Sequence, residues 1–241
     1  MAGAGKKTFT AGEVLTASDV NTYLMEQSVM YFAGTAARSS AIPTPSTGMT
    51  TYIGVTGTAS IPQIETYTGS AWQTPYGLTL VAKANFTGAS TATLANVFSS
   101  AYDNYFIVID DAVAATGGGD QFVCQFKNST QTGTSNYANV VYAQYSSTVV
   151  TGAPFNNTTH MPIAQVINTS TATSGVMQIQ SPFKAKTTGV QSTGSQHQTG
   201  GYYRTGTGYV NDTNSYTDIS FFCLSATTFA MNVSVYGYRK S

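Results

Sequence analysis

His160 and His197 are the only imidazoles in this chain, and both fall in polar, loop-like stretches. Neither has a His, Cys, Asp or Glu at metal-ligand spacing, so each reads as an ordinary surface histidine. Asp110 and Asp111 adjoin at what reads as a strand end, where successive side chains point to opposite faces. With Asp120 across the glycine-rich turn 112–119 they are the best oxygen set for calcium, although the spacing matches no standard loop. Glu65 has no second carboxylate near it in sequence, so a glycosidase pair has no local support. No G-x-S-x-G elbow anchors a serine nucleophile. Residues 3–8, GAGKKT, imitate the end of a phosphate-binding loop but lack its upstream glycine and its preceding strand. The sequence therefore predicts no enzyme, no catalytic residues, no bound metal and no cofactor.

Binding chemistry is better represented. Residues 201–216, GYYRTGTGYVNDTNSY, combine tyrosines with glycine, Arg204 and short amides. Read as a loop, the segment offers Tyr202, Tyr203, Arg204, Tyr209, Asn211 and Asp212 as ligand contacts. Tyrosine faces stack on sugar-like rings, while amides and Asp212 hydrogen-bond to hydroxyls. The competing reading makes these tyrosines cross-strand packing. Cys124 and Cys223 each share a strand face with aromatics, which predicts buried free thiols rather than a bridge.

Positioning such residues requires a core, and the composition permits one. Hydrophobic residues make up 41% and aromatics 12%, which argues against disorder. Charged residues make up only 8%, with ten basic and ten acidic side chains, against roughly a quarter in ordinary globular chains. No Asp, Glu, Lys or Arg occurs between Asn128 and Phe183. Nothing here suits nucleic acid or an anionic membrane surface, and no apolar run reaches the ~18 residues of a membrane span. Residues 1–8 do not form a signal-peptide pattern.

Residues 9–33 read as the one helix. Thr16 is its N-cap and Asp19 completes a capping box. Val20, Tyr23, Leu24, Gln27, Met30 and Tyr31 recur at helical spacing and form an apolar stripe for attachment or oligomerisation. Residues 34–46 read as a linker with Pro43 and Pro45, followed by short strands at 49–55 and 63–67 and a closing Trp72. From Leu78 the period is two. Leu78, Leu80, Ala82, Ala84 and Phe86 share a face, and 105–109 reads as a central strand buried on both faces. Further runs fall at 121–127, 139–145, 162–168, 175–183, 218–224 and 229–238, the last with Phe229, Met231, Val233 and Val235 inward. The expected fold is mainly β: an N-terminal tail and helix (1–33), a linker and short meander (34–77), and an antiparallel, jelly-roll-like sandwich (78–241).

Three stretches carry a resemblance to phage minor tail proteins and tail fibres. The first is GEVLTASDVNTYL at 12–24, with QSVM and FA following. The second is Ala37-Arg38, AIPTP at 41–45, Gly48-Met49 and YTGSAW at 67–72. The third pairs FSSAYDNY at 98–105 with VYGY at 235–238. The resemblance implies a virion protein assembled in the host cytoplasm, forming fibres, commonly homotrimers. It implies other tail or capsid proteins as partners, a sandwich displayed to a host glycan or protein, and no catalytic residues. An architectural capsid, neck or tail fibre without a ligand, or a polysaccharide-degrading virion enzyme, are the alternatives.

Overall fold

The computed structural model describes residues 7–25, 28–54, 62–74, 77–115, 120–144, 150–167, 172–196, 202–225 and 228–239. These form two compact units, Met1–Gly77 and Leu78–Ser241.

In the first unit the capping box forms as expected. The Thr16 hydroxyl accepts from the Asp19 N–H at 3.1 Å, and the Asp19 carboxylate accepts from the Thr16 N–H at 3.2 Å. The helix it starts is short. One turn, α1 (Ala17–Asp19), passes into a π-helical stretch, Val20–Met25. A helix running to residue 33 is not what forms. Met30–Phe32 is strand β1, paired in parallel with β2 (Thr50–Ile53). The aromatic Met-Tyr-Phe run suits a pleated surface better than a fourth helical turn, and Tyr31 stacks on Tyr52 across the pair at 5.8 Å. The stripe is therefore broken. Val20 and Tyr23 lie in the π-helical stretch, where nothing is described of the Leu24 side chain; Gln27 is outside the described residues, and Met30 and Tyr31 are on β1.

The linker reading of 34–46 also fails. Residues Thr35–Ala41 form a helix, α2, because Thr-Ala-Ala-Arg-Ser-Ser-Ala holds no breaker before Pro43. Strands β3 (Gln63–Tyr67) and β4 (Trp72–Gln73) complete a sheet in the order β1-β2-β3-β4. Its interior centres on Arg38 of α2, which pairs with Glu65 and lies 4.3 Å from the Trp72 ring centroid. On the other face Tyr31, Tyr52 and Ile64 sit side by side in register, all exposed.

The second unit is a sandwich with a jelly-roll path. Strand β5 is Leu78–Ala89, β6 Thr91–Leu94, β7 Tyr102–Ala114 and β8 Asp120–Lys127. After two further strands come β11 (Met161–Ile167) and β12 (Thr173–Gln180), and the chain ends in β15 (Asp218–Cys223) and β16 (Phe229–Arg239). Each early strand pairs antiparallel with a late one: β5 with β16, β6 with β15, β7 with β12, β8 with β11. The pairs fall alternately in two sheets, ordered β5-β16-β7-β12 and β6-β15-β8-β11. A two-armed ribbon that changes sheet at every step is the jelly-roll winding.

The remaining strands are two hairpins inserted into that ribbon: β9 (Asn136–Gln144) with β10 (Val150–Thr158), and β13 (Thr188–Gln196) with β14 (Tyr202–Val210). Both extend the larger sheet beyond β12, giving β12-β13-β14-β9-β10. Both strands at this end of the sandwich that lack an outer neighbour, β10 and β11, contain a proline, Pro154 and Pro162. Proline removes an N–H that a stray strand would use.

The core lies between the sheets. Tyr105, Ile107, Ile109, Met177, Ile179, Met231, Val233 and Val235 from the large sheet face Phe122, Cys124, Phe126, Ile219 and Phe221 from the small one. Phe122 meets Phe229 edge-on at 5.1 Å, and Phe98 meets Tyr105 at 4.8 Å. Cys124 and Cys223 are buried thiols that are not joined in a disulfide. The inward set expected for β16 is observed, while residues 105–109 of β7 are buried on one face and only half-buried on the other, rather than buried on both. A bulge corrects the β5 reading. The register skips Val81, so Val81 packs on the core beside Ala82, Ala84 and Phe86, whereas Leu80 and Leu78 pair with the outward Tyr236 and Tyr238.

Candidate functional site

Residues 202–210 form strand β14, as the competing cross-strand reading has it, and among the described residues of the segment only 211–216 lie outside a strand. Two glycines and two threonines within the strand hide the alternation, because no apolar side chain marks the inward positions 204, 206 and 208. Gly206 and Gly208 are required there. A Cβ on Gly208 would sit 2.5 Å from the Tyr137 carbonyl and 2.9 Å from the Met161 sulfur, and one on Gly206 would sit 2.9 Å from the Ser192 hydroxyl. Strand β14 thus lies close against β11 beneath it, and its outward residues Tyr203, Thr205, Thr207 and Tyr209 form an open surface.

The six expected ligand residues are divided by this geometry. Tyr203 and Tyr209 are exposed on the outer face, about 20 Å apart at strand rise. Arg204 alternates to the inner face, and nothing is described of the Tyr202 side chain. Asn211 follows the strand, its N–H donating to the Ser135 carbonyl. Asp212 anchors the turn that follows: it accepts from the Asn214 N–H at 3.0 Å and from the Tyr216 hydroxyl. Tyr216 is wholly buried against Phe126. Burial, and then the neighbouring Asp212 carboxylate, push its hydroxyl well above the usual phenol range. Its proton stays on to make that bond.

Pairing of β14 with β9 assembles a site around Tyr209. Tyr209 lies opposite Tyr137, and their rings stack at 5.4 Å with 16° between planes. Beside them Thr207 lies opposite Asn139. Asn156 arrives from β10 through a bulge: the register shifts between Phe155 and Thr158, and Asn157 takes φ +54°. Asparagine tolerates that left-handed conformation better than most residues, and bulges re-aim neighbouring side chains. Tyr137, Asn139, Asn156, Thr207 and Tyr209 line an open cleft of about 390 Å³, with Ala138 and Gly208 at its floor. Such a volume is in the range of small-ligand sites.

Tyr137, Asn139 and Asn156 escaped the sequence reading because strand pairing brings them to Tyr209 from 53 or more positions away. A faint signal existed: Tyr137, Asn139 and Val141 alternate with the buried Asn136, Ala138 and Val140. In sequence, Arg204 is the only Asp, Glu, Lys, Arg or His in the four inserted strands, and it faces inward. The cleft lining is therefore uncharged, hydroxyl- and amide-rich, with one aromatic pair.

Other candidates have different surroundings. His160 is half-buried with its ring edge-on to Phe222 at 6.1 Å, and burial holds its pKa below the usual value. His197 is outside the described residues, as is the Asp120 side chain. Asp110 and Asp111 lie within β7, not at its end. The register with both neighbouring strands shifts there, and Asp111, at φ +52°, accepts from the Asn232 amide at 3.3 Å. Glu65 is buried and held by Arg38 and by the Gln63 amide at 2.8 Å.

Comparison with known proteins finds no family model, no curated protein and no solved structure that matches this chain.

Proposed function

We propose that this chain is a structural virion protein, a tail fibre or minor tail component, whose sandwich recognises the surface of a host cell. The observation carrying this reading is the contrast between the surfaces that the two units expose. The first exposes an apolar row, Tyr31-Tyr52-Ile64, suited to joining chains together. The second is a jelly roll widened by two hairpins into an uncharged face with a tyrosine cleft. Jelly rolls serve both in viral capsids and in sugar-binding lectins, an analogy of fold that supports the assignment without naming a ligand. The resemblance of the N-terminal stretches to phage tail proteins points the same way. In the proposed particle the chain is a homotrimer contacting other tail proteins.

Gold-labelled antibody to the chain, imaged on phage particles from a lysate that contains it, tests the assignment. Decoration of tails or fibres is expected. Label confined to capsid or neck, or absent from particles, would overturn it. The fluorescent protein is also expected to adsorb to cells of at least one strain in a panel of bacteria; an architectural component would bind none.

A further inference from the structure

Resting on that recognition role, we infer that the Tyr137–Tyr209 cleft binds an uncharged oligosaccharide, the terminal or repeating unit of a neutral surface polysaccharide. Three observations select this class. First, no acidic or basic side chain faces out from the strands that build the cleft. An anionic sugar or a charged peptide would lose hydration there with no ion to replace it. Second, the side chains present match a pyranose ring. The stacked pair leaves Tyr209 43% exposed, an aromatic surface on which the C–H face of a sugar can pack. Asn139, Asn156 and Thr207 stand around it with both donors and acceptors, as vicinal hydroxyls require. A protein partner would instead be met by an apolar centre with a polar rim. Here Tyr203, Thr205, Thr207 and Tyr209 continue as a polar strip along β14. Third, the arrangement is held open. Glycines at 206 and 208 let β14 seat on β11, and the β10 bulge brings Asn156 to the cleft rather than continuing the ladder.

Affinity electrophoresis of the full chain tests the inference, through gels containing dextran, mannan, galactomannan or, as the anionic comparison, polygalacturonate. Retardation in at least one neutral gel is expected, equal at low and high ionic strength because no charges are paired. Tyr209→Ala should weaken it about tenfold or more, as loss of an aromatic hot spot does. Asn156→Ala, which spares the tyrosine pair, should weaken it as well. Tyr238→Ala removes an exposed tyrosine on β16 of the same sheet and should change nothing. Melting temperatures of all variants are read alongside. If Tyr209→Ala melts early, the Asn156→Ala result decides. Retardation only in polygalacturonate, retardation in no gel, or retardation unaffected by Asn156→Ala overturns the inference. If the chain still adsorbs to cells while no neutral polysaccharide retards it, the glycan inference fails and recognition stands. If it adsorbs to no cells, recognition itself fails.

Discussion

At the residue scale, two features have separable consequences. Gly208 has no room for a side chain, since a Cβ would meet backbone at 2.5 Å and the Ala138 Cβ at 2.8 Å. Gly208→Ala is therefore expected to cost about 1–3 kcal/mol in urea unfolding, the usual penalty of overpacking. A variant as stable as the parent would mean that β14 and β9 separate freely. The cysteines form the second case. Both are buried, and burial pushes the Cys124 thiol far above its ordinary value. Because the thiolate is the reactive form, iodoacetamide at pH 8 should leave both untouched in the folded chain. After unfolding, mass spectrometry should find both alkylated; neither alkylated would show that they had been bridged.

At the element scale, the chain shows what hydrophobic period reveals and what it hides. Strands with an apolar inward face, such as β7, β8, β15 and β16, were legible from alternation, and with them the sandwich class. Strands β10 and β13 were not, and β14 was legible only through the cross-strand reading of its tyrosines. In β13, TGVQSTGSQ, only Val190 carries a large apolar side chain, and pairing with strands on both sides defines it instead. The same blindness hid most of the cleft, whose members meet only through the β9–β14 register. At the N-terminus the capping box was legible but the helix length was not, since Met30–Phe32 gains more by pairing with β2. The short helix depends on local charges. Lys7 bonds both Glu13 and Asp19, and that bond, with those from Thr16, holds the Asp19 carboxyl down at about 2. A depressed carboxylate contributes stability that is present above its unfolded value, near 4, and lost as pH falls toward 2. Titration by NMR should therefore show the helix signals of residues 17–25 fading between about pH 4 and pH 2, before the sandwich signals change. Asp19→Asn should remove that acid transition. Helix signals that persist at pH 2 would show that other contacts hold this segment.

At the scale of the whole molecule, the question is how many chains act together. The first unit buries a charged pair, Arg38 with Glu65, while leaving Tyr31 68% and Ile64 46% exposed. That distribution is unfavourable for an isolated chain. A large apolar side chain contributes about 1.5–3 kcal/mol when fully buried, and a buried ion pair is weak support by comparison. Association of copies through the row would cover it three times over in a trimer. Multi-angle light scattering at micromolar concentration is accordingly expected to report about three times the 25.3 kDa chain mass. The double variant Tyr31→Ser with Ile64→Ser should shift that mass toward one chain. Its sandwich should melt as before, because the substituted residues belong to the first unit. A parent that is monomeric overturns the trimer. A double variant that remains trimeric moves the interface away from this row, with Val14 and Leu15, also exposed, as the next residues to replace. The two units can then be tested together. Tyr209→Ala should weaken cell adsorption in a chain that stays trimeric, and the row variant should keep its cleft but also bind cells more weakly, since three linked sites gain avidity that a single site lacks.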